Sequence, residues 1–472
     1  MKFHGSRLCL QLFRSMLLSL LLFAPFATRP GKAQDQGAQQ PDVQQMQKKL
    51  EQLEKELHEL KQQIAAAADL PKQSVAGPSV PANTDTRQVE EHSEQPKASS
   101  SIDFYGFAML DSGYNFGSIN PNWSDTMRPT QLPAAKDEYG ANGNTFWGVR
   151  QTRFGVKTFT PTALGDLKTI FEFELFGTGV DAGQTTFRLR HAWGELGHFG
   201  AGQTWSPFMD IDVFPNSLEY WGPNGMVFFR NVQVRWTPIQ GSSNVVIALE
   251  RPGASADGGV YSDRIALEHT VSPQFKWPDL SGHARLAREW GYVQVAGIVR
   301  KIAWVDTNPG QFNLSGTAIG WGVNVSSNVN VTKKDVGRFS VVYGEAIENY
   351  MNDAPVDVSI KNNPPGSTNP VKGVPLPVLG VVAFVDHTWS ERFSSAIGYS
   401  MVNIDNSNAM TKDSYHQGHY ALGNLLYHPV KQVTMGGEFQ FGRRVNFADG
   451  WNYNDYKLQF SFRYDWSKGF EF

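Results

Sequence analysis

The stretch KLQFSFRYDW, residues 457–466, alternates without a break. Tyr456, Leu458, Phe460, Phe462, Tyr464 and Trp466 are large and apolar or aromatic, and Lys457, Gln459, Ser461, Arg463 and Asp465 between them are polar or charged. A period of two places the two sets on opposite faces of one β-strand. What matters is which medium touches each face. A soluble sandwich buries its apolar face in a core about 10 Å thick and wets the other. A transmembrane barrel turns its apolar face to lipid and its polar face to water in the middle.

The same period recurs from Ile102 onward. Leu167, Thr169, Phe171, Phe173 and Leu175 oppose Lys168, Glu172 and Glu174; Phe187, Leu189 and Trp193 oppose Arg188 and Arg190. Val293, Val295 and Val299 oppose Gln294 and Arg300, Ile319 to Val325 repeat the pattern, and Val433, Met435, Phe439 and Phe441 oppose Thr434, Glu438 and Gln440. Short breaks such as residues 160–166 and 332–335 alternate with long ones at 116–146, 206–226, 252–279, 351–376 and 404–416. The runs number about sixteen, at roughly 23 residues per strand and connection, as expected of a barrel with turns at one rim and loops at the other. Aromatic residues mark strand ends at Trp147, Trp236, Trp304, Trp389 and Trp466, and the chain ends on Phe472. The fold expected is an all-β transmembrane barrel of about 16 antiparallel strands over residues 102–472.

Composition removes other classes. Beyond the first thirty residues no run of 18 uncharged apolar residues occurs, which excludes a helical membrane protein. A formal charge of -3 gives no reason to expect nucleic acid. Residues 1–33 read as a secretory signal peptide: Lys2, Arg7 and Arg14, then the apolar run Met16–Ala27, then Gly31 and Ala33 before a cut. The single cysteine, Cys9, falls in that leader, so the mature chain has no disulfide and no thiolate metal site.

Residues 34–68 hold a different period. Val43, Met46, Leu50, Leu53, Leu57, Leu60 and Ile64 step by three and four, the seam of a short α-helical coiled coil. A parallel neighbour would pair Lys49 with Glu54 and Glu56 with Lys61. This is a periplasmic oligomerisation segment. Residues 69–101, rich in Pro, Ser and charge, form a flexible linker.

Several stretches resemble the DcaP-like trimeric porins of Gram-negative outer membranes. They are IDFYGFAMLDSGYNF (102–116), RFGVKTFTP (153–161), RLRHAWGELGHFGAGQTWSPFMDIDVFPNSLEYWGPNG (188–225) and NVQVRW (231–236), densest at GQTWSPFMD. The resemblance implies a sixteen-stranded barrel behind an N-terminal coil, a homotrimer in outer-membrane lipid, and passive uptake of small organic anions, dicarboxylates among them. SKGFEF lies beyond the last strand as read here, which moves the terminal-aromatic assembly signal from Trp466 to Phe472.

Strand parity points Arg153, Lys168, Arg188, Arg190, Arg235, Arg285, Arg300 and Arg463 into the lumen. Guanidinium forks suit carboxylates, and rings or ladders of Arg and Lys are how anion pores are built. The same groups would also serve as wall braces if they merely balanced Glu172, Glu174, Glu250 and Glu438. Arg230, Arg288, Arg443 and Arg444 sit where parity slips. The segment 206–226 is too apolar to hang in water and is expected to fold into the barrel. Its Phe208, Asp210, Asp212, Asn216, Glu219 and Tyr220 would line a constriction facing the basic wall.

No histidine has metal-ligand spacing and no phosphate-binding glycine loop occurs, so neither metal nor cofactor is expected. The function expected is a substrate-selective, anion-preferring porin rather than an enzyme. Its rivals are a phosphate- or sulfate-selective porin and an outer-membrane phospholipase. The latter would need a serine beside His191, whose parity is outward in this reading. A tether to the cell wall through the coil is compatible with transport.

Overall fold

The computed structural model describes residues 99–265 and 270–472. The signal peptide, the heptad segment and the linker up to residue 98 lie outside the described residues. The wall is a closed antiparallel barrel of sixteen strands. They are β1 (Ser101–Asn115), β2 (Arg153–Thr162), β3 (Gly165–Phe176), β4 (Thr185–Leu196), β5 (Phe199–Trp205), β6 (Arg230–Ile239), β7 (Asn244–Glu250) and β8 (Asp279–Arg288). Then follow β9 (Gly291–Asp306), β10 (Gly316–Asn330), β11 (Asp335–Glu345), β12 (Pro377–Ser390), β13 (Phe393–Ile404), β14 (Tyr415–Val430), β15 (Val433–Asn446) and β16 (Asn452–Glu471). Two short strands, Asn144–Gly148 and Val271–Pro273, extend the wall at the loop rim.

Strand β16 closes on β1 in register from Ser101 opposite Glu471 to Asn115 opposite Lys457. Among its side chains Tyr456, Phe460, Phe462, Tyr464 and Trp466 are exposed outward, whereas Lys457, Gln459, Ser461 and Arg463 are buried inside. SKGFEF is therefore not a tail: all but its final residue belongs to β16, and Phe472 still exchanges backbone hydrogen bonds with Ser100. On β10, Ile319, Trp321, Val323 and Val325 face out while Ala318, Asn324 and Ser326 face in.

Alternation fails at one place with large consequences. Glu172 on β3 pairs with His191, but its neighbour Phe173 pairs with Leu189, so Arg190 is the extra residue of a β-bulge. Beyond a bulge the side-chain parity inverts. His191 and Trp193, read as outward, are both buried, with His191 Nδ1 2.9 Å from Thr204 Oγ1 and Trp193 Nε1 donating to Glu195 at 2.8 Å. Trp304 also departs from expectation. It packs beneath loop residues and donates to the Leu314 carbonyl at 2.7 Å, while Trp147, Trp236, Trp389 and Trp466 are exposed.

Nor is the inner wall polar throughout. Ala296 and Ile298 on β9, Val342 on β11, Val382 and Phe384 on β12, and Val402 on β13 form one buried cluster with loop residues 208–227. Val323→Arg, an outward change at the middle of β10, is expected to cost about 2–4 kcal/mol of folding free energy in bilayers. Urea titration of heat-modifiable folding in liposomes measures it, with Val323→Leu near wild type.

Candidate functional site

The connection between β5 and β6, residues 206–229, turns inward and crosses the barrel, as its composition requires. Phe208, Met209, Ile211, Val213 and Phe214 are buried against the wall. Its backbone is stitched to strands around the circumference. Phe208 and Met209 carbonyls accept from Asn324 at 3.1 Å and Gln294 at 3.2 Å, and the Asn216 carbonyl from Asn424 at 2.7 Å. The Leu218 and Glu219 amides donate to Glu438 at 2.8 and 3.1 Å, and the Gly225 amide to Ser400 at 2.9 Å.

The loop carboxylates do not face the basic wall across open water. Asp210 receives Arg285 at 2.6 Å, Tyr292 at 2.8 Å and Ser326 at 2.6 Å, and Asp212 receives the other arm of Arg285 at 2.5 Å. Asn216 is tied to Asp386 and Ser394, both at 3.2 Å. Glu219 is buried, accepting from the amides of Met127, at 3.1 Å, and Gly222. Burial pushes its carboxyl up, with those amides and the Lys457 ammonium pulling the other way. Direct pairing thus replaces the open constriction facing the basic wall that the sequence leads one to expect of this loop.

Of the expected anion-binding residues, several are braces. Arg300 is 1 % exposed and fixed by Asp279 at 2.9 Å and Asp357 at 3.1 Å, tying the 346–376 loop to β9. Arg285 holds the infolded loop. Arg463 pairs with Asp465 two positions along its own strand at 2.8 Å.

The others gather on β2 to β6. Register puts Arg153 directly opposite Glu174 and Glu174 directly opposite Arg188, so adjacent strands deliver both cations to one carboxylate. Arg188 reaches Glu174 at 2.9 Å, Arg190 at 2.7 Å, Arg153 at 3.4 Å and Arg230 at 3.7 Å. The bulged Arg190 also bridges to Glu172 at 2.6 Å, and Glu172 accepts from Tyr105 at 2.7 Å. Four guanidinium groups thus converge on Glu174. Of their side chains, Arg188 alone stays substantially open, 22 % exposed against 4–9 % for the others. A lower level on the same wall carries Lys168 opposite Glu195, and Arg235, which hydrogen-bonds Gln233 at 3.2 Å and the Trp205 carbonyl; Lys168 and Arg235 are half-buried.

Arg230 is the cluster member that parity could not orient. It opens β6 beside the loop with its guanidinium over the Trp205 ring at 4.7 Å. Arg444 is buried and bonded to Asn446 and the carbonyls of Thr130 and Asp413, whereas Arg288 is exposed.

A closed sixteen-strand barrel with a loop folded into its interior defines an outer-membrane porin. A family model described as the DcaP outer membrane protein matches residues 33–365, and the chain belongs to that family. The barrel is similar to the outer membrane channel DcaP of Acinetobacter baumannii, with TM-score 0.64 and 18% identity over 79% of this chain and 99% of that one. It is also similar to an anion-selective porin from Comamonas acidovorans, with TM-score 0.51 and 9% identity over 78% of this chain and 100% of that one. No curated protein matches the chain.

Asp210→Ala removes one of the two carboxylates that hold Arg285 and the acceptor of Tyr292 and Ser326; breaking a buried pair costs about 3–5 kcal/mol, and the remaining Asp212 keeps the loss toward the lower end. The variant is expected to melt earlier in detergent and to show noisier single-channel current, both read against wild type.

Proposed function

We propose that the chain is an anion-preferring porin that lets small organic anions, dicarboxylates among them, diffuse into the periplasm across a Gram-negative outer membrane. The observation that carries this reading is the sharing of Glu174 among four arginines. A carboxylate holds one negative charge, so Arg188 and Arg230, whose ion pairs both fall on Glu174, are left under-compensated beside the lumen. Low local dielectric strengthens the resulting positive potential. Arg188 then offers a planar fork that remains cationic at any physiological pH and matches a carboxylate's two oxygens.

A second cationic level, Lys168 and Arg235, lies further along the same wall. A dianion has somewhere to place each end in turn, and multi-site holding keeps binding weak enough for release. On the wall of β9 to β14 Arg300 and Arg338 each have a carboxylate of their own, Asp279 and Asp386, and the infolded loop covers much of the rest with apolar contacts, so anions are drawn along one side. Assembly as a homotrimer follows from the self-complementary heptad seam together with the family.

Planar-bilayer recording tests the reading. Wild type is expected to pass chloride in preference to potassium, and Arg188→Ala to lower that permeability ratio severalfold. Flux of an uncharged sugar into liposomes should stay near wild type. Cation preference in wild type, or equal losses for sugar and anion, would overturn it.

A further inference from the structure

The open face of the arginine cluster is not vacant. Tyr220, from the infolded loop, accepts from Arg188 Nη2 at 2.9 Å and donates its phenolic proton to Glu174. The same Arg188 nitrogen lies 2.9 Å from Glu174 Oε1, so phenol, guanidinium and carboxylate form a closed triangle. The ring is held rigidly. It stacks on Phe176 with centroids 3.8 Å apart and planes 7° from parallel, and the Arg150 guanidinium lies 3.8 Å from the Phe176 ring centroid. Arg150 in turn is fixed by Asp125 at 2.7 Å and the Gly177 carbonyl at 2.9 Å. A surface tyrosine that happened to touch an arginine would not be clamped through three further residues.

We propose that Tyr220 is a built-in competitor for the substrate: its phenol oxygen occupies the acceptor position on Arg188 that a permeating carboxylate must take. Tyr220 is therefore a specificity-determining residue, and the assignment rests on the porin reading given above. A neutral phenol is the weaker acceptor, because it carries no negative charge and offers the guanidinium fork one oxygen where a carboxylate offers two. A carboxylate displaces it, whereas an uncharged solute gains too little to do so. Displacement also has a cost that shortens the anion's stay. The phenol loses its bond to Glu174 while anion and Glu174 share one guanidinium, and both effects favour release. Arg188 and Glu174 thereby stay hydrogen-bonded between passages, as buried polar groups must be.

Tyr220→Phe removes one oxygen and keeps the ring stack, and heat-modifiable migration on gels confirms that the barrel folds. With succinate as the probe, block of single-channel current gives a dissociation constant. In the variant this constant is expected to fall about ten- to a hundredfold, the range set by one hydrogen bond to a charged group. In an Arg188→Ala background the same substitution should leave it unchanged, since the competed group is gone. An unchanged or raised constant in a Tyr220→Phe channel that still prefers anions would overturn the proposal and leave the porin reading intact. An equal fall with and without Arg188 would overturn it too, because the hydroxyl would then act only by narrowing the passage. Failure of the porin reading shows separately, as cation preference in the unmodified channel.

Discussion

Backbone amides and carbonyls have no water to turn to in hydrocarbon, and each one left unpaired costs several kcal/mol. The sheet must therefore have no edge, and the pairing of β16 with β1 is what removes it. This requirement explains the length of β16, which runs past Trp466 so that Ser101 and its neighbours on β1 are matched to the end. It also explains why the outer surface tolerates so many exposed Val, Phe and Trp side chains: their environment is oil, and burial in a protein core is not needed.

Closing the wall creates a second demand. A sixteen-strand barrel is too wide for its own side chains to fill. The segment 206–229 meets that demand mainly along β9 to β13, by laying Phe208, Ile211 and Val213 against apolar inner residues there. The buried cluster is an ordinary hydrophobic core built within a membrane protein. Having packed one half, the chain leaves the arginine-rich half of β2 to β6 for solute. The division between scaffold and passage is thus a division of the circumference, and ion pairs such as Asp210 with Arg285 keep the loop on its own side.

Alternation was legible wherever both media are uniform, as on β16 and β10, and the loop that enters the barrel was legible from its composition. What was not legible is how charges pair. Arg300 meets Asp357 from a loop 57 positions away, and Arg285 meets Asp210 from one 75 positions away; period and parity carry no information about such partners. Residues expected to greet anions on equal terms therefore split into braces and open groups. Arg230 lies out of phase at the junction of loop and strand, where neither pattern applies. Tyr220 lies on that loop, and its position on Arg188 depends on a stack with Phe176 that sequence does not announce.

The one-residue surplus at Arg190 bears on how the channel's lining changes over descent. Remove it, and Leu189 and His191 would still face Phe173 and Glu172, so every other side chain of β4 would keep its side and the channel would lose a single guanidinium. A three-nucleotide insertion absorbed in this way is a single genetic step by which a porin can add a side chain to its pore lining without turning the neighbours, and a matching deletion can take it away. Relatives of this chain should accordingly differ in selectivity through length changes in their strands as readily as through exchange of one amino acid for another.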